Sequence, residues 1–312
     1  MLPNMPRPVL KACVCGIAQQ RRLRVYATSV NVARGVPRLG APDSRTRGAN
    51  MTILTIRANG WMLAALIAVS CLLALPVANA QTSAPAKATN VVLVHGAWAD
   101  GSSWAEVIPR LQAAGLKVTA VQNPLSSLDD SVAATRRALA LQDGPTVLAA
   151  HSWGGTVISE VGTDPKVSAL VYVAARAPDA AEDFVALSAK FPAGAVRAGI
   201  QTNDGYTLLA EDAFLKFFAN GVEPTKAKTL YAVQGSTASS LFAGRTTQAA
   251  WKTKPSYYAV SRQDQTINAD LERFLAKRMN ATTIELDAGH LSLVSHPREV
   301  AELILRAAGR AK

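Results

Sequence analysis

Three residue types that can together cleave an acyl bond occur at three comparable places in the sequence. They are a serine in Leu148-Ala149-Ala150-His151-Ser152-Trp153-Gly154-Gly155, an aspartate in Ser261-Arg262-Gln263-Asp264-Gln265-Thr266-Ile267, and a histidine in Asp287-Ala288-Gly289-His290-Leu291. A serine hydroxyl is a weak nucleophile. It needs an imidazole to take its proton and a carboxylate to orient that imidazole. Ser152 stands between a short apolar run and a helical pattern, the place of a tight strand–turn–helix bend that projects a serine above a sheet. Small residues are needed two before and two after it, and Ala150 and Gly154 stand there, alanine being the smallest departure from the usual glycine. Gly155 lets the following helix pack closely. Asp264 and His290 each follow a run that reads as a strand, and the order Ser, acid, His is the order expected for a bend of this kind.

A fourth segment, Val94-His95-Gly96-Ala97-Trp98, closes the first apolar run. Gly96 permits the backbone to turn the next amide inward. The Ala97 and Trp153 N–H groups are then the expected oxyanion hole, where they would stabilise charge developing on a carbonyl oxygen. His95 and His151 are read as structural. Asp287 sits too early in its turn, Asp270 lies inside a helix, and His296 precedes Pro297, so none of them displaces the three named residues. Four histidines without paired spacing predict no metal, and no cofactor is called for.

The elements that must carry these groups follow from hydrophobic pattern. Strands are expected at 90–94, 117–121, 146–150, 169–173, 257–260 and 283–286. Helices are expected from a capping box at Ser103–Glu106 to Gly115, then at 128–141, after Trp153, around 271–277 and at 298–308. Continuous β-branched runs alternating with helices mean a mostly parallel sheet of about six strands covered on both faces, an α/β fold. The alternation breaks between about 179 and 252. Helical patches separated by Gly205, Gly221, Gly235 and Gly244 predict an inserted helical cap there. Its Phe184, Phe191, Tyr206, Phe217, Phe218 and Phe242 are candidates to line an apolar substrate pocket together with Trp98 and Trp153.

The charge balance is uneven. The chain is formally +11, yet residues 1–80 hold 10 of its 33 Lys and Arg and one of its 22 Asp and Glu. The remainder is close to neutral, so no attraction to nucleic acid is expected. Residues 61–75 form an uncharged apolar run, followed by Ala78-Asn79-Ala80, which predicts a signal peptide over 51–80 cleaved after Ala80, with export to the periplasm or beyond. A retained transmembrane anchor is the alternative; the run is short for a bilayer span, and no stable membrane insertion is expected after cleavage. Residues 1–50 are arginine-rich and aperiodic. They are read as an upstream extension outside the fold, with translation expected to start at Met51. Residues 81–89 read as a linker and 90–312 as the folded domain. Cys13, Cys15 and Cys71 all lie before the predicted cleavage, so no disulfide or thiol nucleophile is expected.

On these motifs the chain resembles the α/β-hydrolases, in particular the small group related to plant methyl esterases and hydroxynitrile lyases with its bacterial relatives. The resemblance covers about residues 90–309. It is strongest over 91–104, 147–155 and 257–290. It implies the α/β-hydrolase fold and an acyl-enzyme mechanism through Ser152, Asp264 and His290. The lyases of the group look different at two places, with a threonine where Gly96 stands and a lysine where Leu291 stands. The resemblance therefore points to the esterase branch and to a small, moderately apolar carboxylic ester as substrate. A cofactor-free perhydrolase or haloperoxidase shares the same three residues and stays open as an alternative, as does a non-catalytic binding protein on the same fold.

Overall fold

The computed structural model describes residues 87–310. The expected extension, signal peptide and most of the linker lie outside the described residues. Among the described residues nine strands occur in chain order: β1 Asn90–Val94, β2 Lys117–Val121, β3 Thr146–His151, β4 Val167–Val173, β5 Ile200–Asn203, β6 Tyr206–Leu209, β7 Thr237–Ala238, β8 Ser256–Ser261 and β9 Thr282–Leu286. Six of them form one sheet in the order β2-β1-β3-β4-β8-β9, with every pairing parallel. The central strands β1 and β3 are buried at every position, as the apolar runs Val91–Val94 and Val147–Ala150 within them require. Burying a Val or Leu side chain of this kind stabilises the fold by roughly 1.5–3 kcal/mol.

The helices cover both faces, and local sequence explains their limits. The helix Leu128–Ala140 starts where the Ser127 side chain accepts from the Asp130 N–H, with Asp129 and Asp130 in its first turn. Its inward face is Ser131, Val132, Ala134, Thr135, Ala138 and Leu139, a stripe of helical period. The last helix, Pro297–Ala307, opens on proline and buries Val300, Ala301, Leu303 and Ile304. Among the described residues no helix is long and apolar enough to cross a membrane.

Three expectations need correction. The helix predicted from Ser103 begins later, at Ile108–Ala113. The capping side chain is Asp100, which accepts from Ser102 N and caps a separate short turn, Gly101–Trp104. Glu106 cannot close a capping box because it is held outward by Lys226 and Arg110. The packed domain also starts before Asn90: Ala88 is buried, its N–H donates to Ala308 O, and Arg310 donates to its carbonyl. The third correction concerns the cap. Between β4 and β8 the chain builds not only short helices but an antiparallel sheet, β5-β6-β7. The Trp251 indole N–H donates to Pro178 O at 2.8 Å and ties the two ends of this insertion together.

Candidate active site

The site lies at the carboxyl ends of the parallel strands, beside the point where strand order reverses between β1 and β3. Crevices for ligands form there in open α/β sheets. Ser152 follows β3 directly and adopts φ 54°, a left-handed conformation that a non-glycine residue holds only when its surroundings enforce it. Here Ser152 N donates to Val173 O, and the Ser152 carbonyl accepts from Gly155 N and Arg176 N. Two glycines let the backbones close in. A Cβ on Gly96 would stand 2.6 Å from Ser152 Cβ, and one on Gly154 would stand 2.8 Å from both the Val94 and His95 carbonyl oxygens. These contacts bring the loop after β1 against the bend after β3.

The residues singled out by type and spacing meet here. His290 Nε2 lies 2.8 Å from Ser152 Oγ, and His290 Nδ1 lies 2.5 Å from Asp264 Oδ2. The other Asp264 oxygen accepts from the Thr266 and Ile267 amides at 2.6 and 2.8 Å, so the carboxylate has one orientation. His290 and the side chain of Asp264 are fully buried, and Ser152 is 5% exposed. Asp287 instead faces Arg262 and Gln263, Asp270 pairs with Arg273, and His296 bonds Ser295.

The two neighbouring histidines are held by the backbone. His95 Nε2 accepts from Asn123 N at 2.8 Å, so the ring proton sits on Nδ1 and donates to Gly96 O at 2.9 Å. Burial pushes this imidazole below its ordinary pKa, in keeping with a neutral ring that braces the Gly96 loop. His151 Nε2 contacts His290 O at 3.0 Å, and its ring stands 4.6 Å from that of His290. Burial, and then the nearby His290, hold His151 well below the ordinary histidine value.

The small cap sheet has a role at this point. Trp98 N donates to Thr237 Oγ1, Trp98 Nε1 donates to Thr207 Oγ1, and Thr207 Oγ1 donates to Thr237 O, each at 3.0 Å. β6 and β7 thus clamp the residue next to Ala97, which fixes the direction of the Ala97 amide. Among the described residues neither Ala97 N nor Trp153 N has a hydrogen-bond acceptor. Trp153 is the N-cap of the helix Gly154–Val161, whose dipole favours negative charge at that end.

A cavity of about 330 Å³ opens onto Ser152, Ala97 and Trp153. Trp98 and Phe242 line it, with their rings 5.2 Å apart. The other aromatic candidates lie elsewhere. Phe184 borders a smaller adjoining cavity. Phe191 packs on Phe274, Phe217 lies under Lys216, and Tyr206 is exposed on the cap sheet. Phe218 is buried between Trp98 and the His290 ring, and so supports the site without lining that cavity. The cap's own folding turns these rings inward or outward, which composition does not encode.

Two features went unread in the sequence. Arg176 and Arg197 both line the cavity. Arg176 follows β4 at the same sheet edge that carries the serine, aspartate and histidine, and that position was a usable signal. The second feature is Glu272, fully buried behind Asp264, with Oε2 accepting from Ser261 N at 3.0 Å. Burial, and then the Asp264 carboxylate, push its carboxyl well above the usual range. It lies among Leu271, Leu275 and Ala276 on the buried face of the helix Ala269–Arg278, and a carboxylate on an apolar stripe is visible in a sequence. Among the described residues no cluster of His, Cys, Asp or Glu could hold a metal ion.

Residues 91–303 match the model of the alpha/beta hydrolase family. No curated protein sequence matches the chain. Similar solved structures include a pyrethroid hydrolase from Sphingobium faniae, at 20% identity and TM-score 0.59, covering 71% of this chain and 98% of that one. A polyneuridine aldehyde esterase aligns at 20% identity and TM-score 0.61, covering 70% and 98%. A methylesterase from Arabidopsis aligns at 18% identity and TM-score 0.59, again covering 70% and 98%. At these identities the likeness concerns the fold.

Proposed function

The chain belongs to the alpha/beta hydrolase family, and from that premise we propose that it hydrolyses a small carboxylic ester through an acyl-enzyme on Ser152. The observation that carries this reading is His290, which bridges Ser152 Oγ at 2.8 Å and Asp264 Oδ2 at 2.5 Å. His290 Nε2 takes the serine proton as Oγ attacks the ester carbonyl, while Nδ1–H donates to Asp264. The carbonyl oxygen, now negative, accepts from the Ala97 and Trp153 N–H groups. Collapse expels the alcohol, which leaves with the proton from Nε2. Water then attacks the acyl-serine with His290 again as base, releasing the carboxylic acid and restoring the hydroxyl. An ester as the scissile bond also agrees with two neighbours in fold, an esterase and a methylesterase. A cavity of about 330 Å³ suits a substrate of small-molecule size.

The test is covalent labelling by a fluorophosphonate together with turnover of p-nitrophenyl butyrate. Wild-type protein should be labelled and active, and Ser152→Ala should lose both. Wild-type protein that resists the probe and leaves the ester intact refutes the proposal.

A further inference from the structure

We propose that the ester taken by this site carries a carboxylate on the arm that enters the cavity, and that Arg176 and Arg197 bind that carboxylate. This rests on the esterase reading above and narrows it to half-esters of dicarboxylic acids.

Both arginines line the cavity that opens onto Ser152, and both also border the adjoining cavity of about 50 Å³ next to Phe184. They stand at the junction of the two spaces. Among the described residues neither forms an ion pair, whereas Arg245, Arg273, Arg278 and Arg298 each face an acid. A guanidinium in a pocket without a counterion is an unfavourable arrangement that an anionic ligand relieves. Burial, and then the positive charge of Arg197, lower Arg176 to about 10, so it remains a cation at neutral pH. The two groups are close enough to repel each other.

Arg176 is rigidly placed. The Ala175 N–H donates to Tyr258 Oη at 3.0 Å, and Tyr258 Oη donates back to Ala175 O at 2.5 Å. The guanidinium lies 4.9 Å from the Phe184 ring centroid and 5.2 Å from that of Phe242. It donates to Phe242 O at 3.2 Å, which leaves most of its N–H groups for a ligand. Arg197 sits in the short turn Ala195–Gly199, which is tied to the Asp264 loop where Val196 N donates to Gln265 O. The Arg176 guanidinium and the backbone that carries Arg197 are therefore both placed relative to Ser152. The fork of a guanidinium matches a carboxylate edge to edge, and two such forks select a carboxylate over a neutral ester of equal length. The apolar wall of Val185, Val196, Ile200 and Ile267 suits the methylene chain between the two functional groups.

The test measures binding to the Ser152→Ala protein, which does not turn over, by calorimetry. The probes are the monomethyl and dimethyl esters of succinate, adipate and suberate. At least one half-ester should bind about tenfold or more tighter than its dimethyl counterpart, as a charge-assisted pair requires. Arg197→Met and Arg176→Met should each reduce that preference severalfold. Arg197 is exposed, so its substitution probes the charge even if Arg176→Met fails to fold. Equal or weaker binding of every half-ester, or a preference unchanged by Arg197→Met in the folded protein, overturns the proposal. The readout does not depend on the serine. Failure of fluorophosphonate labelling therefore sinks the esterase reading alone, and the binding result still judges the two arginines.

Discussion

Replacing Glu272 by glutamine should stabilise the protein by an amount that grows with pH. The Glu272 carboxyl is fully buried, accepts from Ser261 N at 3.0 Å and lies beside Asp264. Burial, and then the Asp264 charge, raise it well above its ordinary value of 4.5. The sign follows from proton counting. Above about pH 4.5 the unfolded chain has released this proton while the native protein still holds it. Native stability therefore falls with rising pH, by up to about 1.4 kcal/mol per pH unit, until the native carboxyl itself titrates. The stabilising contribution of the bound proton is complete below the unfolded value and is lost as pH rises through the folded one. Glutamine has the same shape, its carbonyl can accept from Ser261 N, and it does not titrate. The difference between Glu272→Gln and wild type should thus widen as pH rises from 5, by at most about 1.4 kcal/mol per pH unit while the native carboxyl keeps its proton. Other carboxyls whose pKa values are lowered, such as Glu223 and Glu285, titrate alike in both proteins and cancel. Urea unfolding of the two proteins at pH 5, 6, 7 and 8 measures this directly. A difference that stays constant across the series, or that shrinks as pH rises, refutes the picture of a protonated acid behind Asp264.

Two other substitutions probe the site. Asp264→Asn keeps the shape but removes the charge that orients His290, so kcat on p-nitrophenyl butyrate should drop by about 10³–10⁴ while far-UV circular dichroism is unchanged; activity within tenfold of wild type would reassign the acid. Gly154→Ala places a methyl group 2.8 Å from the carbonyl oxygens of Val94 and His95, both backbone atoms that cannot swing aside. It should destabilise by about 1–3 kcal/mol in urea unfolding and lower kcat as the Gly96 loop is displaced.

Much of the framework was legible because its causes are local. β1 and β2 match the expected limits of 90–94 and 117–121, and the other sheet strands differ by one or two residues at their ends. A parallel strand buried on both faces must be apolar throughout, and that leaves a plain mark in the sequence. Ser152, Asp264 and His290 stood out for a related reason: each follows a strand of the parallel sheet, and one edge of the sheet collects them. Glu272 also left a local mark, a carboxylate between Leu271 and Leu275 on a buried stripe. The cap was less legible. β5 is exposed at every position, and β6 buries only Thr207 and Leu209 in alternation, a pattern too short to announce a strand. The pairing of β6 with β7 joins Thr207 to Thr237, 30 residues apart.

By itself, then, the sequence determined the alternation of strands and helices, the strand ends where chemistry could gather, and the glycines that let backbones meet at Gly96 and Gly154. Only the tertiary structure decided which side chains share a space. It brought Ser152 and His290, 138 residues apart, to 2.8 Å. It turned Phe191 and Tyr206 away from the cavity, and it set Arg176 and Arg197 in its wall with no acidic partner among the described residues. Those outcomes depend on long-range packing of the cap against the sheet edge, and neither periodicity nor residue type carries that information along the chain.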